Sequence, residues 1–161
     1  MGPTAEAVPL ELMPAPAEIE LATGSFAIDA TFSVGLEGEG VGPRLERGVW
    51  RMLRRLSDRS TLFFDNRTFL DLDSGEKATL RIGVGRIGEV RLGEDESYHL
   101  EVNPSGIVLE AATDIGALRG LETLLQLLRL DENGVTLPLV VVDDAPRFPW
   151  RGLMIDASHH I

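Results

Sequence analysis

The sequence predicts an α+β fold: a mostly antiparallel sheet with two amphipathic helices on one face. Several segments alternate with period two, a tight turn joins two of them, and two other segments carry apolar residues at helical spacing. Length bounds the answer. The chain has 161 residues, enough for one sizeable core. A complete (β/α)8 barrel needs roughly 200 residues or more and is excluded.

The elements follow in order. Pro3, Pro9, Pro14 and Pro16 make an extended, edge-like entry. Ile19, Leu21, Phe26, Ile28 and Phe32 predict short strands separated by a Thr23-Gly24-Ser25 turn. Gly35 to Gly42 reads as a glycine- and glutamate-rich loop, ended by Pro43. The clearest helix comes next, with Pro43 in its first turn. Its apolar stripe is Leu45, Val49, Met52, Leu53 and Leu56, and Arg44, Arg47, Arg51, Arg54 and Arg55 occupy the other side. In an acidic chain with Glu46 and Asp58 nearby, that side reads as a solvated face rather than a polyanion site.

Residues 79–84 alternate as a strand. Tyr98, Leu100 and Val102 alternate again, Asn103-Pro104-Ser105-Gly106 turns, and Ile107-Val108-Leu109 returns as the second arm of a hairpin. Thr113 or Asp114 caps a second helix whose stripe is Ile115, Leu118, Leu121, Leu125 and Leu128, stopped by Asn133-Gly134. Leu139-Val140-Val141-Val142 is a buried strand that ends at Asp143-Asp144.

Charge and composition remove whole classes of function. Fifteen Lys and Arg against 26 Asp and Glu leave a net charge of −11, so neither nucleic acid nor an anionic membrane is an expected partner. With no cysteine, disulfides, thiolate metal sites and cysteine nucleophiles drop out, while the compartment stays open. No apolar run reaches the length of a membrane-spanning helix, and the first residues lack the pattern of a signal peptide.

Four motifs invite chemistry and are rejected. Gly83-Val84-Gly85-Arg86-Ile87-Gly88 has dinucleotide spacing, but no helical stripe follows to hold a pyrophosphate. Asp71 to Glu76 is out of register for a calcium loop, since Glu76 and Ile82 stand where glycine and the bidentate glutamate are needed. Asp143 and Asp144 are neighbours on a strand and point to opposite faces, so they cannot flank one bond. The histidines are His99, His159 and His160, and the adjacent pair lacks the i, i+4 spacing of two ligands on a helix. No metal and no cofactor are expected.

Two longer stretches are more specific. One runs from Glu96-Ser97-Tyr98-His99-Leu100-Glu101-Val102 through Gly106-Ile107 to Gly116-Ala117-Leu118-Arg119-Gly120-Leu121-Glu122-Thr123-Leu124-Leu125-Gln126-Leu127-Leu128. It resembles the signature of the non-catalytic N-terminal domain of family 20 glycoside hydrolases, the β-N-acetylhexosaminidases. The other, Asp144-Ala145-Pro146-Arg147-Phe148-Pro149-Trp150-Arg151-Gly152 continuing through Asp156 to His160, resembles the segment that opens that family's catalytic barrel. Leu12-Met13-Pro14-Ala15-Pro16 suits the family's entry strand. Hexosaminidases that act on O-linked N-acetylglucosamine continue differently after Arg-Gly, so Leu153-Met154-Ile155-Asp156 favours family 20.

The resemblance implies a division at Ala145: residues 1–145 as the N-terminal α+β domain, and 146–161 as the first strand of a truncated (β/α)8 barrel. It implies that Arg151 binds neighbouring sugar hydroxyls, those on C3 and C4 of the terminal residue, which suits a planar fork of donors. His159 stands where the family usually has arginine. The family's adjacent aspartate and glutamate, which serve a retaining reaction assisted by the substrate's own acetamido group, lie far downstream of the matched segments. The expected function is therefore a fragment of a β-N-acetylhexosaminidase, inactive alone, with no catalytic residue of its own. Its partners would be the catalytic barrel of the same polypeptide and, in the full enzyme, glycans bearing N-acetylhexosamine. Family members are often secreted or periplasmic. The competing expectation is a free-standing binding or scaffold module, for which glycans would be the ligand.

Overall fold

Alternating apolar residues give the sheet a buried face and an open one, and the two helices cover the buried face. The computed structural model describes residues 11–65, 68–70, 77–131 and 134–148. The elements run β1 (Glu18–Ile28), β2 (Val34–Glu37), α1 (Pro43–Arg59), β3 (Phe69–Leu70), β4 (Leu80–Arg86), β5 (Tyr98–Asn103), β6 (Gly106–Thr113), α2 (Asp114–Leu127), β7 (Arg129–Asp131) and β8 (Gly134–Asp144). Together the strands form one sheet in the order β1-β8-β5-β6-β4-β2-β3, with β7 also paired to β8.

The sheet is mixed. From β1 through β8 and β5 to β6 every pairing is antiparallel, and the β5–β6 hairpin turns at Asn103 and Gly106 as its turn residues require. From β6 through β4 and β2 to β3 the pairings are parallel. The chain reaches β4 from β2 through α1, and parallel neighbours need such a crossover. Gly35, expected in a loop, lies inside β2. There Val34 is fully buried and the strand has parallel ladders on both sides, which outweighs the weak strand preference of glycine.

β1 is one strand where two were expected. Between Leu21 and Ser25 it advances four residues while β8 advances from Val140 to Pro138. Thr23-Gly24-Ser25 is therefore part of a bulge, not a turn between strands. Gly24 supplies its positive φ of +119°, and Pro138 has no N–H to give to the ladder there.

α1 buries the expected Leu45, Val49, Met52, Leu53 and Leu56, and also Gly48, where a Cβ would collide with the Leu118 side chain of α2. α2 begins at Thr113, whose hydroxyl accepts the Gly116 N–H at 3.1 Å and donates to the Asp95 carbonyl at 2.6 Å. Its buried face is rotated from the expected stripe. Gly116, Ala117, Gly120, Leu121, Leu124 and Leu125 face inward, while Ile115, Leu118 and Leu128 are only half-buried. The helix ends at Leu127, so Asn133-Gly134 does not stop it; Gly134, at φ +104°, opens β8 after β7 has begun to pair back. Leu80, Ile82, Leu100, Leu109 and Leu137 from the sheet meet these helices in one fully buried core.

Candidate functional site

The ladder registers bring residues distant in sequence onto one line across the open face. Glu37 pairs with Gly83, Gly83 with Glu110, Glu110 with His99, His99 with Asp143, and Asp143 with Glu18. With Gly83 and Ala112 leaving space, a groove of about 600 Å³ lies along this row, lined by Glu18, Tyr98, Glu110 and the His99–Asp143 pair. His99 Nδ1 lies 2.8 Å from Asp143 Oδ1.

A carboxylate on one imidazole nitrogen is half of a catalytic triad, and the other half is a hydroxyl on the second nitrogen. Ser97 is two residues from His99 along the strand, but its hydroxyl donates to Asp95 Oδ1 at 2.6 Å. Its oxygen is committed to a turn, and the row holds no hydroxyl to complete a triad. Nor does any group of three or more His, Asp or Glu side chains among the described residues have the geometry to hold a metal ion. The groove sets a few polar side chains among alanine and glycine surface.

Asp144, one residue on from Asp143, faces the other way, as strand alternation requires. It accepts the Ala17 N–H at 3.0 Å and the Tyr98 hydroxyl at 3.3 Å, and Tyr98 also meets Thr123 of α2 at 2.6 Å. Burial, reinforced by the charge of Asp144, pushes the Tyr98 phenol up to about 12. Tyr98 thus ties β5, α2 and the end of β8 together, which is a structural duty.

The glycine pattern at 83–88 runs from β4 into a loop, and no helix follows. The loop is closed by Glu94. Its side chain is only 2% exposed, pairs with the Arg86 guanidinium, and accepts the N–H groups of Glu89 at 2.7 Å and Asp95 at 2.9 Å. These donors, Arg86 first, hold its carboxyl at about 2, below its ordinary 4.5. Because the folded-state value is depressed, the contribution to stability is present above pH 4.5 and disappears as pH falls through about 2. In Glu94→Gln this acid-dependent part should vanish. Thermal melts at pH 3 and pH 6 check it: the melting temperature of the variant should drop less between the two than that of the parent.

The arginine side of α1 is less uniform than a solvated face. Arg44 bridges to Asp114 at 3.2 Å, Arg55 to Glu122, and Arg59 donates to the Leu125 carbonyl at 2.9 Å, so these three fasten α1 to α2. Arg47, Trp50, Arg51 and Arg54 face outward.

Arg151, the site residue expected from the resemblance, lies outside the described residues, as do Asp71 to Glu76, His159, His160 and all of the expected barrel strand beyond Phe148. Sequence reasoning missed the His99–Asp143 pair. Both residues were legible, but their pairing depends on β5 and β8 being neighbours, which no local signal states.

Comparison with known proteins agrees with the fold. Residues 10–145 match the family model described as glycosyl hydrolase family 20, domain 2. β-Hexosaminidase subunit A1 of Dictyostelium discoideum is 32% identical over 94% of this chain, which spans 28% of that protein. β-Hexosaminidase 1 of Arabidopsis thaliana is 34% identical over 94% of the chain and 31% of its own length. Among solved structures, a chitobiase of Flavobacterium johnsoniae superposes with a TM-score of 0.84 at 42% identity, over 92% of this chain and 23% of that one. The chain thus spans 23% to 31% of the length of these relatives, and it belongs to glycosyl hydrolase family 20.

Proposed function

We propose that this chain is the leading portion of a β-N-acetylhexosaminidase, with residues 1–145 a structural domain and 146–161 the first strand of the catalytic barrel. The observation that carries this reading is the family match over residues 10–145, in a chain that covers only about a quarter to a third of hexosaminidases. Supporting it, His99 is held by Asp143, the nearby Ser97 hydroxyl is committed to Asp95, and Tyr98 is tied to Asp144 and Thr123. The work of the domain is to carry the barrel, and the glycan is bound and cleaved there.

In that barrel Arg151 grips two neighbouring hydroxyls of a terminal N-acetylhexosamine. A retaining reaction assisted by the acetamido group of the substrate then proceeds on an aspartate and a glutamate further along the polypeptide. The pure 161-residue protein should not turn over a chromogenic N-acetylglucosaminide, whereas the polypeptide encoded past Ile161 should. In the longer protein Arg151→Ala should lower kcat/KM by about a hundredfold, the scale of two lost charge-assisted hydrogen bonds. Turnover by the short chain, or none by the long one, overturns the proposal.

A further inference from the structure

Just before β1 and just after β8 the chain runs side by side with itself, and the two passages are fastened together. Residues 13–17 precede β1 and take no part in its ladder. Three side chains from elsewhere hold them instead. Gln126 of α2 accepts the Met13 N–H at 2.8 Å, Asp144 accepts the Ala17 N–H at 3.0 Å, and Arg147 donates to the Ala15 carbonyl at 3.3 Å. A cavity of about 200 Å³ lies between the passages, lined by Pro14, Ala15, Asp144, Pro146, Arg147 and Phe148.

Both passages are stiff. Pro14 and Pro16 fix φ in the first and Pro146 in the second, and each holds the residue before it to extended backbone. Asp144 is itself secured by the Tyr98 hydroxyl, and Tyr98 by Thr123 of α2, so the first passage is referenced to the core. A segment outside the sheet at one end of a domain frays unless it is tied down. Stability does not account for the Arg147 tie. It joins groups 132 residues apart, yet both are exposed, and water satisfies each of them when the bond breaks. What the tie fixes is direction. The chain leaving β8 is held at Asp144 and again at Arg147, and two points define a line.

We propose that Arg147 is a positioning residue for Arg151, which it aims by tethering the chain after β8 to the Ala15 carbonyl. The inference rests on the hexosaminidase reading above, in which Arg151 grips two neighbouring hydroxyls of the sugar. Four residues on from the tether, Arg151 is at most about 14 Å of chain away. Over that length a pivot of about 4° moves the far end by about 1 Å. A misplacement of about 1 Å can cost on the order of a hundredfold in rate. A bond too weak to matter for folding is therefore strong enough to matter for aim.

The test uses the polypeptide encoded past Ile161 and two chromogenic substrates, an N-acetylglucosaminide and its 4-deoxy analogue. Hydrolysis of the first by the parent protein scores the hexosaminidase reading by itself. The ratio of the two kcat/KM values scores the aim of Arg151, since only one substrate carries the hydroxyl on C4. Arg151→Ala should cut this ratio about tenfold, the scale of one charge-assisted hydrogen bond. Arg147→Ala should cut it at least about threefold, and Arg147→Lys, which keeps a donor on a long stem, should restore it. Added to Arg151→Ala, the Arg147→Ala exchange should change the ratio by less than about twofold, because no guanidinium is left to aim. In the 161-residue protein Arg147→Ala should move the melting temperature by no more than about 2 °C. Arg147→Met keeps the apolar stem, should lower the ratio equally, and serves where the alanine variant fails to fold.

Equal losses on both substrates in Arg147→Ala, with the ratio intact, make Arg147 a structural tie; the positioning role falls and the hexosaminidase reading stands. A threefold loss of ratio on top of Arg151→Ala overturns the positioning role in the same way. A ratio that Arg151→Ala leaves unchanged overturns the grip and its positioning together. Absence of hydrolysis by the parent removes the hexosaminidase reading, and the inference with it.

Discussion

Gly116→Ala should destabilise the protein, although alanine is the best helix former and glycine among the worst. In an exposed helix the exchange would stabilise by about 1 kcal/mol. Here the added Cβ would run into the Ser97 carbonyl oxygen and lie 3.2 Å from the Glu96 carbonyl carbon, atoms of backbone that cannot rotate aside. Overpacking of this kind costs about 1–3 kcal/mol, and the helix must lift from the sheet to relieve it. Gly120 repeats the arrangement one turn later, where a Cβ would press on the Leu109 side chain and the Tyr98 ring. Those neighbours are side chains with some freedom, so Gly120→Ala should cost less. Chemical denaturation of both variants measures the difference. An increase in stability for Gly116→Ala would mean that α2 sits further from the β5–β6 hairpin than described.

Asp114→Ala should have an effect at least as large. Asp114 is 1% exposed at the first position of α2. Its Oδ1 accepts the buried N–H of Gly88 at 2.7 Å and the Arg44 guanidinium at 3.2 Å. Alanine would leave the Gly88 N–H buried without an acceptor, which costs about 1–3 kcal/mol. Loss of an anion at a helix N-terminus adds about 0.3–1 kcal/mol. Because the site joins α1, α2 and the loop after β4, the loss should appear in one cooperative transition. At this chain length a total of about 1–4 kcal/mol lowers the melting temperature by roughly 3–16 °C. Asp114→Asn keeps an acceptor in place and should recover more than half of the loss. Equal melting temperatures for the two variants would show that charge alone, not the hydrogen bond to Gly88, matters at this position.

Much of the architecture was legible because local physics sufficed. The α1 stripe from Leu45 to Leu56 and the turn at Asn103 to Gly106 appear where the sequence predicts them. The misreadings share a cause. Gly35, Gly24, Gly116 and Gly120 are glycines whose role is set by what lies across from them, and periodicity counts only side chains. Hence a central strand resembled a loop, a bulge resembled a turn, and the α2 stripe was drawn through Ile115 and Leu118 when the helix packs on its small residues. The candidate site was less legible. The order of strands that places His99 beside Asp143 is a tertiary fact, and Arg151 was singled out by resemblance alone.

The pairing of Glu18 with Asp143 has a mechanical consequence. The first strand of the domain begins next to where the last one ends, so tension applied to the two ends would pull directly on the final rung of the β1–β8 ladder. The rungs are then loaded one at a time, like a zipper, rather than all together in shear. A domain strung this way resists little force along its own termini, and β1 would be the first element to come away.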